Sequence, residues 1–530
     1  MSVKISHQFA GKPCRSSFRI SIIACLCVAL LLTVLFPASR FAQRKRPLLQ
    51  PATKSYFAGK IILIPRDSQF LQLRLLAQVA DQDLVLPPSR FLDPKPQPDK
   101  LIEWAKDMNL AQTNGVIISL ETIAATAPDT PATQALKQLR AQQPKLPLYG
   151  FASLDASATS RQICQTGLDL AADGTLNFLL IEQAEPLSEK PAQIARARLI
   201  GEIASRQIED RVAFDDAPEG AAASLIARLV ARRYNQSPRI LAVYSSKEGQ
   251  TSTESRDTIA LNQSIGAKIK LTGGALPVQD SETAPAIDLL LFIHAPQTNE
   301  EQRAAFTKVL TQTVERGMRV AVVDLSRTKA AKESFLSELR NQKLLDKLIA
   351  YASSELVSNP TSDATREAAS RALAQAVMLF TSLKSLRNDL DRVFRIDRAQ
   401  VGLMFSRYLQ DWAYNLTVRP KLDAYLLERK GDSNNLPGNQ SGNMPGSRDD
   451  AVERAEKFAF EQLQPIAKQL FDEQFRRNTH AILLNSGERA EFRISLLQRL
   501  QIRFTTLKSS QVEIKQSIHT FYEGIIPMIK

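Results

Sequence analysis

The chain has 530 residues, 44% hydrophobic and 23% charged, an ordinary globular composition with room for two or three domains around sizeable cores. Its net charge is +13, yet residues 1–46 hold eight bases and no acid, while the other 484 residues hold 60 Lys and Arg against 55 Asp and Glu. The excess flanks an apolar leader and forms no basic stripe with interleaved aromatics, so no nucleic-acid partner is expected.

The leader comes first. Ile20 to Phe36 is 17 residues without a charge, about 26 Å as a helix and just long enough to cross a bilayer core. Lys12, Arg15 and Arg19 precede it, the layout of an export signal. No small-x-small triplet stands around Pro37–Ala42. Residues 1–46 therefore read as an uncleaved signal-anchor in preference to a cleaved signal peptide. The expected partner of this helix is the membrane, with the body outside the cytoplasm. Cys14, Cys25 and Cys27 lie in the leader. Cys164 is alone in the body, which excludes an internal disulfide framework and a cysteine metal site and suits a small buried side chain. The body's His294, His480 and His519 are too scattered for a local zinc motif, and HExxH is absent.

Residues 47–58 read as a linker. From Gly59 onward short apolar runs alternate with helical patterns. The candidate strands are 61–64, 84–86, 116–120, 148–151, 178–181, 212–214, 240–244, 269–271, 289–293, 320–323 and 348–351. Helical segments such as 100–108, 133–142, 193–206, 221–233, 300–316 and 332–341 separate most of them. This grammar predicts an α/β fold, with mainly parallel sheets under covering helices. Two α/β lobes (59–210 and 211–360) are the first choice and closure into a barrel is the alternative. A helical region follows at 361–430, with Ala368, Ala372, Ala376 and Phe380 along one side of its first helix. Then come a polar linker at 431–448 and a helical C-terminal region at 449–530, which Ser447 and Asp450 open in capping-box spacing and Pro465 should kink. No internal repeat is visible.

No GxGxxG, GxxxxGK[ST] or GxSxG is present, and the Gly273-Gly274 pair reads as a turn after a strand. What recurs is a polar group just after an apolar run: Asp67, Glu121, Gln183 with Glu185, Asp215 with Asp216, and Glu248. Parallel strands would place these at one sheet edge, where α/β folds bind ligands. Asp67, Glu121 and Glu185 are the candidate catalytic acids; Gln183, Asp216 and Glu248 are candidate binding groups. Converging carboxylates can divide acid and base roles or hold a divalent cation through oxygen; no other cofactor is indicated. For any one acid, a helix-capping or solvated-loop role is the simpler reading. Arg407, Asp411, Trp412 and Tyr414 form a second cluster, in which Arg407 and Asp411 sit four apart as a structural ion pair would.

These stretches resemble the bacterial domain-of-unknown-function family 4127. Ile64-Pro65-Arg66-Asp67 is similar to its opening strand and acidic loop, Leu86-Pro87-Pro88 and Ser119-Leu120-Glu121 to two further motifs, and Gly174–Gln183 to a strand it ends in Gln-Asp-Asp. Tyr244-Ser245 with Glu248-Gly249, then Glu254 and Arg256, resembles a Tyr-Ser-Asp-x-Glu-Gly and Glu-Asp-Arg-Pro stretch. Leu344–Ala352 leading to Asn359, and Phe405–Tyr414, resemble two later segments. The resemblance implies that Glu254, Arg256 and Asn359 join the binding groups. It implies no established reaction. Ser68, Gln69 and Phe70 replace an acid-Arg-Pro, and Ala184-Glu185 replaces an acid pair, so much of the implied site is altered. The expectation is an envelope binding or interaction protein with an eroded site. The alternatives are a hydrolase-like enzyme on an envelope or carbohydrate substrate, and a two-lobed solute-binding protein.

Overall fold

The computed structural model describes residues 59–475, apart from 67–70, 93–95, 109, 111, 125, 128, 156, 184–189, 216–219, 252–259, 278–286, 297, 327–333, 355–361, 423 and 426–445. It also describes residues 492–496 and 525–529. Phe57 to Lys530 forms one compact unit.

The opening strand β1 (Gly59–Ile64) is buried on both faces, as an apolar run without alternation implies for a central parallel strand. It is followed by α1 (Leu71–Gln78), β2 (Gln82–Val85), α2 (Pro98–Asp107), β3 (Thr113–Ser119), α3 (Pro131–Gln142), β4 (Leu148–Leu154), α4 (Ala158–Ala172), β5 (Phe178–Gln183), α5 (Lys190–Ser205) and β6 (Val212–Asp215). The six strands form one sheet in the order β2-β1-β3-β4-β5-β6, and every pairing is parallel.

After α6 (Ala221–Arg233) a second sheet begins. Its elements are β7 (Ile240–Tyr244), the short α7 (Lys247–Thr251), α8 (Leu261–Leu271), β8 (Leu289–His294), α9 (Glu300–Glu315), β9 (Val320–Asp324), α10 (Phe335–Asn341) and β10 (Ala350–Ser353). Its strands are parallel in the order β10-β9-β8-β7, and a parallel bridge from Arg239 to Ala275 extends it beyond β7. Both sheets are open, so the barrel alternative falls away.

The two sheets follow one course. From β1 the chain pairs on one side through β2, then crosses to β3 on the other. From β7 it pairs on one side through Ala275, then crosses to β8. Each reversal is a topological switch point, where strand ends diverge and open a crevice. The repeat is one of connectivity, which is why no repeat shows in the residues.

Helix α11 (Ser362–Leu386) joins the two cores. Ala368, Ala372, Ala376 and Phe380 pack into the second sheet's core, as their spacing predicts, while Ala374, Met378 and Leu379 join the first sheet's core. Helix α12 (Leu390–Tyr408), capped by Asp389, passes into a π-helical stretch at Leu409–Val418. Arg395 on α12 pairs through two nitrogens with the fully buried Asp81 at 2.9 and 3.2 Å, fixing the helix beside the start of β2.

On the same helix, burial pushes the Asp397 carboxyl up to about 6 from 3.8. The folded state thus holds the proton more tightly than the unfolded chain. That contribution is present below 3.8 and is lost as pH rises toward 6. Asp397→Asn should therefore raise stability by about 1–2 kcal/mol at pH 8 and leave it unchanged at pH 3.5, read by urea denaturation at both.

Two expectations need correction. Residues 269–271 are the last turn of α8 rather than a strand, because Leu261, Ile265 and Ile269 recur at helical spacing. Gly273 (φ +90°) and Gly274 therefore close a helix, and their amides are bonded to the Lys270 and Ile269 carbonyls. The C-terminal region contains a helix, α13 (Gly446–Leu470), which starts one residue before the expected cap and runs on through Pro465. It also contains an antiparallel pair, β11 (Phe492–Leu496) and β12 (Ile525–Ile529). The second strand's β-branched residues favour that form, and its Pro527 is tolerated in a two-stranded ribbon. Arg407 and Asp411, read from sequence as a structural ion pair, are both buried.

Candidate functional site at the strand ends

The C-terminal edge of the first sheet gathers Arg66 beyond β1, Glu121 beyond β3, Ser153 near the end of β4, Glu182 and Gln183 closing β5, and Asp215 closing β6. The switch point is drawn together by Thr122, whose hydroxyl donates to the Pro65 carbonyl at 2.8 Å and to Ser119 Oγ at 2.9 Å. Ser119 in turn donates to Glu121 Oε2 at 3.0 Å, and the Ser153 amide donates to the other carboxylate oxygen. Glu121 therefore ties the ends of β3 and β4 rather than capping α3, whose cap is Thr130.

Burial raises the Glu121 carboxyl, opposed by these hydrogen bonds and by Arg66. Glu182 is more deeply placed. Burial pushes it well above the usual carboxylate range, Arg66 at 3.0 Å pulls it back, and the nearby Glu121 and Asp215 charges push it further up. Two carboxyls, both raised chiefly by burial, thus stand near one arginine. Behind them Cys164 is fully buried, its thiol raised by burial and by the charges of Glu121 and Asp155, so it is an inert filler.

Gln183 is 3% exposed, and among the described residues neither its amide nitrogen nor its oxygen has a hydrogen-bond partner. A buried carboxamide left unsatisfied costs about 1–3 kcal/mol, so the position marks room for a group that supplies both an acceptor and a donor.

The second sheet's edge is built alike. Ser245 Oγ beyond β7 accepts from the Ala295 amide beyond β8 at 2.9 Å, and Gly249 packs so close to Ala295 and Ser246 that a Cβ would overlap both. His294 Nδ1 lies 2.9 Å from Asp324 Oδ1, which also accepts from the Ser326 amide (3.0 Å) and hydroxyl (2.7 Å). The imidazole stacks on Phe335, and its Nε2 is buried without a partner among the described residues. A carboxylate only accepts, so Nδ1 is the ring nitrogen that donates to Asp324.

Helix α11 connects the two edges. Ser370 accepts from Lys268, which pairs with Asp215. The adjacent Arg371, together with Arg407, lowers a buried Asp411 carboxyl that desolvation and the Asp324 charge raise.

Of the residues singled out from sequence, Glu121 and Gln183 meet at this edge. Glu248 does not: it is exposed in the first turn of α7, with Gln302 Nε2 3.5 Å away. Asp67, Glu185, Asp216, Glu254, Arg256 and Asn359 lie outside the described residues. Among the described residues no three His, Cys, Asp or Glu side chains are grouped to hold a metal ion. The sequence reading missed Arg66, Glu182, Lys268, His294 and Asp324. The signal for Glu182, His294 and Asp324 is a polar residue at the end of an apolar run, as in Phe178–Gln183, Leu289–His294 and Val320–Asp324.

A family model described as "Protein of unknown function (DUF4127)" matches residues 154–493. That range contains the motifs at 174–183, 244–256, 344–359 and 405–414; those at 64–67, 86–88 and 119–121 precede it. No curated protein and no solved structure matches the chain. With the model spanning more than half of the chain, from the end of β4 through the whole second sheet and α11 and α12, the protein belongs to the domain-of-unknown-function family 4127.

Proposed function

We propose that this protein binds a neutral, polar component of the cell envelope at the C-terminal edge of its first sheet. The observation that carries the reading is Gln183, a buried carboxamide at the C-terminal end of β5 whose donor and acceptor are unmet among the described residues. Hydroxyl or amide groups of a saccharide or peptide satisfy such a side chain; an ion does not. Export is supported by the basic and apolar leader around 20–36, which lies outside the described residues. Among the described residues no helix is long and apolar enough to cross a membrane.

A hydrolase reading draws on the raised carboxyls of Glu121 and Glu182. Both already have protein partners, which favours binding over turnover.

The test is a thermal-shift screen with N-acetylglucosamine oligomers and with uncharged peptides, acetylated at the N-terminus and amidated at the C-terminus. A fitting ligand at 100-fold above its Kd should add about 2.7 kcal/mol, a shift of a few degrees. Gln183→Leu should abolish the shift without lowering the unliganded Tm. If no probe shifts the wild type, or if Gln183→Leu responds equally, the reading fails; release of a cleaved product would move it to the hydrolase.

A further inference from the structure

At the opposite end of the same strands lies a cleft of about 700 Å³, bounded by the starts of β4, β5 and β6, the second half of α6 and the C-terminal end of α8. Its size is that of a small-molecule site. Arg211, Arg228, Arg232 and Lys270 line it, against one acid, Asp210.

The fold leaves this charge uncompensated. Arg211 donates to the Ala171 carbonyl, and Arg228 to the carbonyls of Lys270 (3.1 Å) and Leu271 (3.4 Å). Just behind the wall, Arg140 donates to the carbonyls of Thr175, Pro144 and Leu146. These partners are neutral. Among the described residues none of the five cations is in an ion pair with a carboxylate, although arginines elsewhere in the fold meet Asp81, Asp169, Glu182, Glu338 and Glu473. The Arg232 charge adds to burial in lowering both Arg140 and Arg228. Arg228 is further fixed face-on over Phe178, 3.9 Å from the ring centre, so its guanidinium is held in place before any ligand arrives.

Like charges held together in a concave, partly desolvated wall are relieved by a multivalent anion, and planar guanidiniums match its oxygens in pairs. We infer that this cleft is a binding site for a small multivalent oxyanion, of the phosphate-ester or polycarboxylate class. It is separate from the Gln183 edge, at the other end of β5 and about 17 Å along the strand.

The test is calorimetry and thermal shift on the full-length chain with pyrophosphate and with citrate, against sodium chloride at matched ionic strength. Pyrophosphate should raise the Tm and bind with saturation, weakening at least tenfold from 50 to 300 mM salt. Citrate separates the sources: a response to pyrophosphate alone assigns phosphate esters, and a response to both assigns multivalent oxyanions in general. The side chains of Arg232 and Lys270 are exposed and make no hydrogen bond or ion pair among the described residues, so Arg232→Gln/Lys270→Gln should keep the unliganded Tm and lose at least tenfold in affinity. No response beyond that of sodium chloride, or unchanged affinity in the double variant, overturns the inference. Neither outcome bears on Gln183, whose probes are uncharged at this end of the molecule.

Discussion

Replacing Lys268 by Met should destabilise the fold by about 3–5 kcal/mol at neutral pH, among the largest effects expected from any single surface-silent change. Lys268 is 1% exposed, and its ammonium pairs with Asp215, itself 2% exposed, and donates to Ser370 Oγ at 3.1 Å. Removing the ammonium takes a bonded cation away from a carboxylate in the interior, and that carboxylate already raises Glu182. The loss is therefore felt in three elements, β6, α8 and α11. The cause is separable from lost packing, because Met nearly matches the Lys stem in volume. In Lys268→Met/Asp215→Leu no charge is left unpaired, so the double variant should recover most of the loss. Urea denaturation of the wild type, Lys268→Met, Asp215→Leu and the double variant measures this. A double variant that loses the sum of both singles would show that the pair contributes through shape and not charge.

That pair also shows which features the residues announce. Parallel strands were legible because Ile61–Ile64 and Val320–Val323 are apolar without alternation, and only a strand covered on both faces tolerates this. The covering side of α11 was legible from Ala368, Ala372, Ala376 and Phe380, because local spacing fixes a helix face. Lys268 was not. In sequence it is one lysine in Ala-Lys-Ile-Lys, and only the meeting of β6 with α8 and α11 makes it an interior group. The misreading of 269–271 as a strand followed from the same source, since three residues cannot display a period of 3.6.

The candidate site divides along similar lines. Carboxylates near strand ends were expected, and Glu121 stands there, because parallel topology alone carries strand ends to one edge. Its satisfaction by Ser119 and Ser153 depends on register between β3 and β4. Register across thirty residues of intervening chain leaves no local mark. The His294–Asp324 pair has the same origin: the two are register partners on β8 and β9, so their adjacency is a consequence of strand pairing and not of any motif.

Arg407→Met is expected to show an effect of comparable size, with a pH dependence that identifies its cause. Arg407 is 2% exposed and donates to the Tyr351 carbonyl at 2.6 Å and to Gln375 Oε1, joining α12 to β10 and α11. Burial lowers its own value, and the nearby Arg371 lowers it further; Asp411 opposes both. Removing it withdraws one of the two charges that hold the Asp411 carboxyl down, so that carboxyl rises further above its unfolded value. For an acid whose folded pKa is raised, stability is full below the unfolded value near 3.8 and falls as pH climbs toward the folded one. At pH 5 a protonated Asp411 needs no cation, and the variant should lose about 2 kcal/mol, from the Arg407 hydrogen bonds to the Tyr351 carbonyl and Gln375 Oε1 that it removes. At pH 8 either a charge is buried with less compensation or a proton must be bound from a dilute bath, and the loss should reach about 3–5 kcal/mol. Adding Asp411→Asn should remove the difference between the two pH values and leave the pH 5 loss in place. Equal losses at both pH values in the single variant would mean that Arg371 alone governs Asp411, and Arg407 would then be a hydrogen-bonding strut and nothing more.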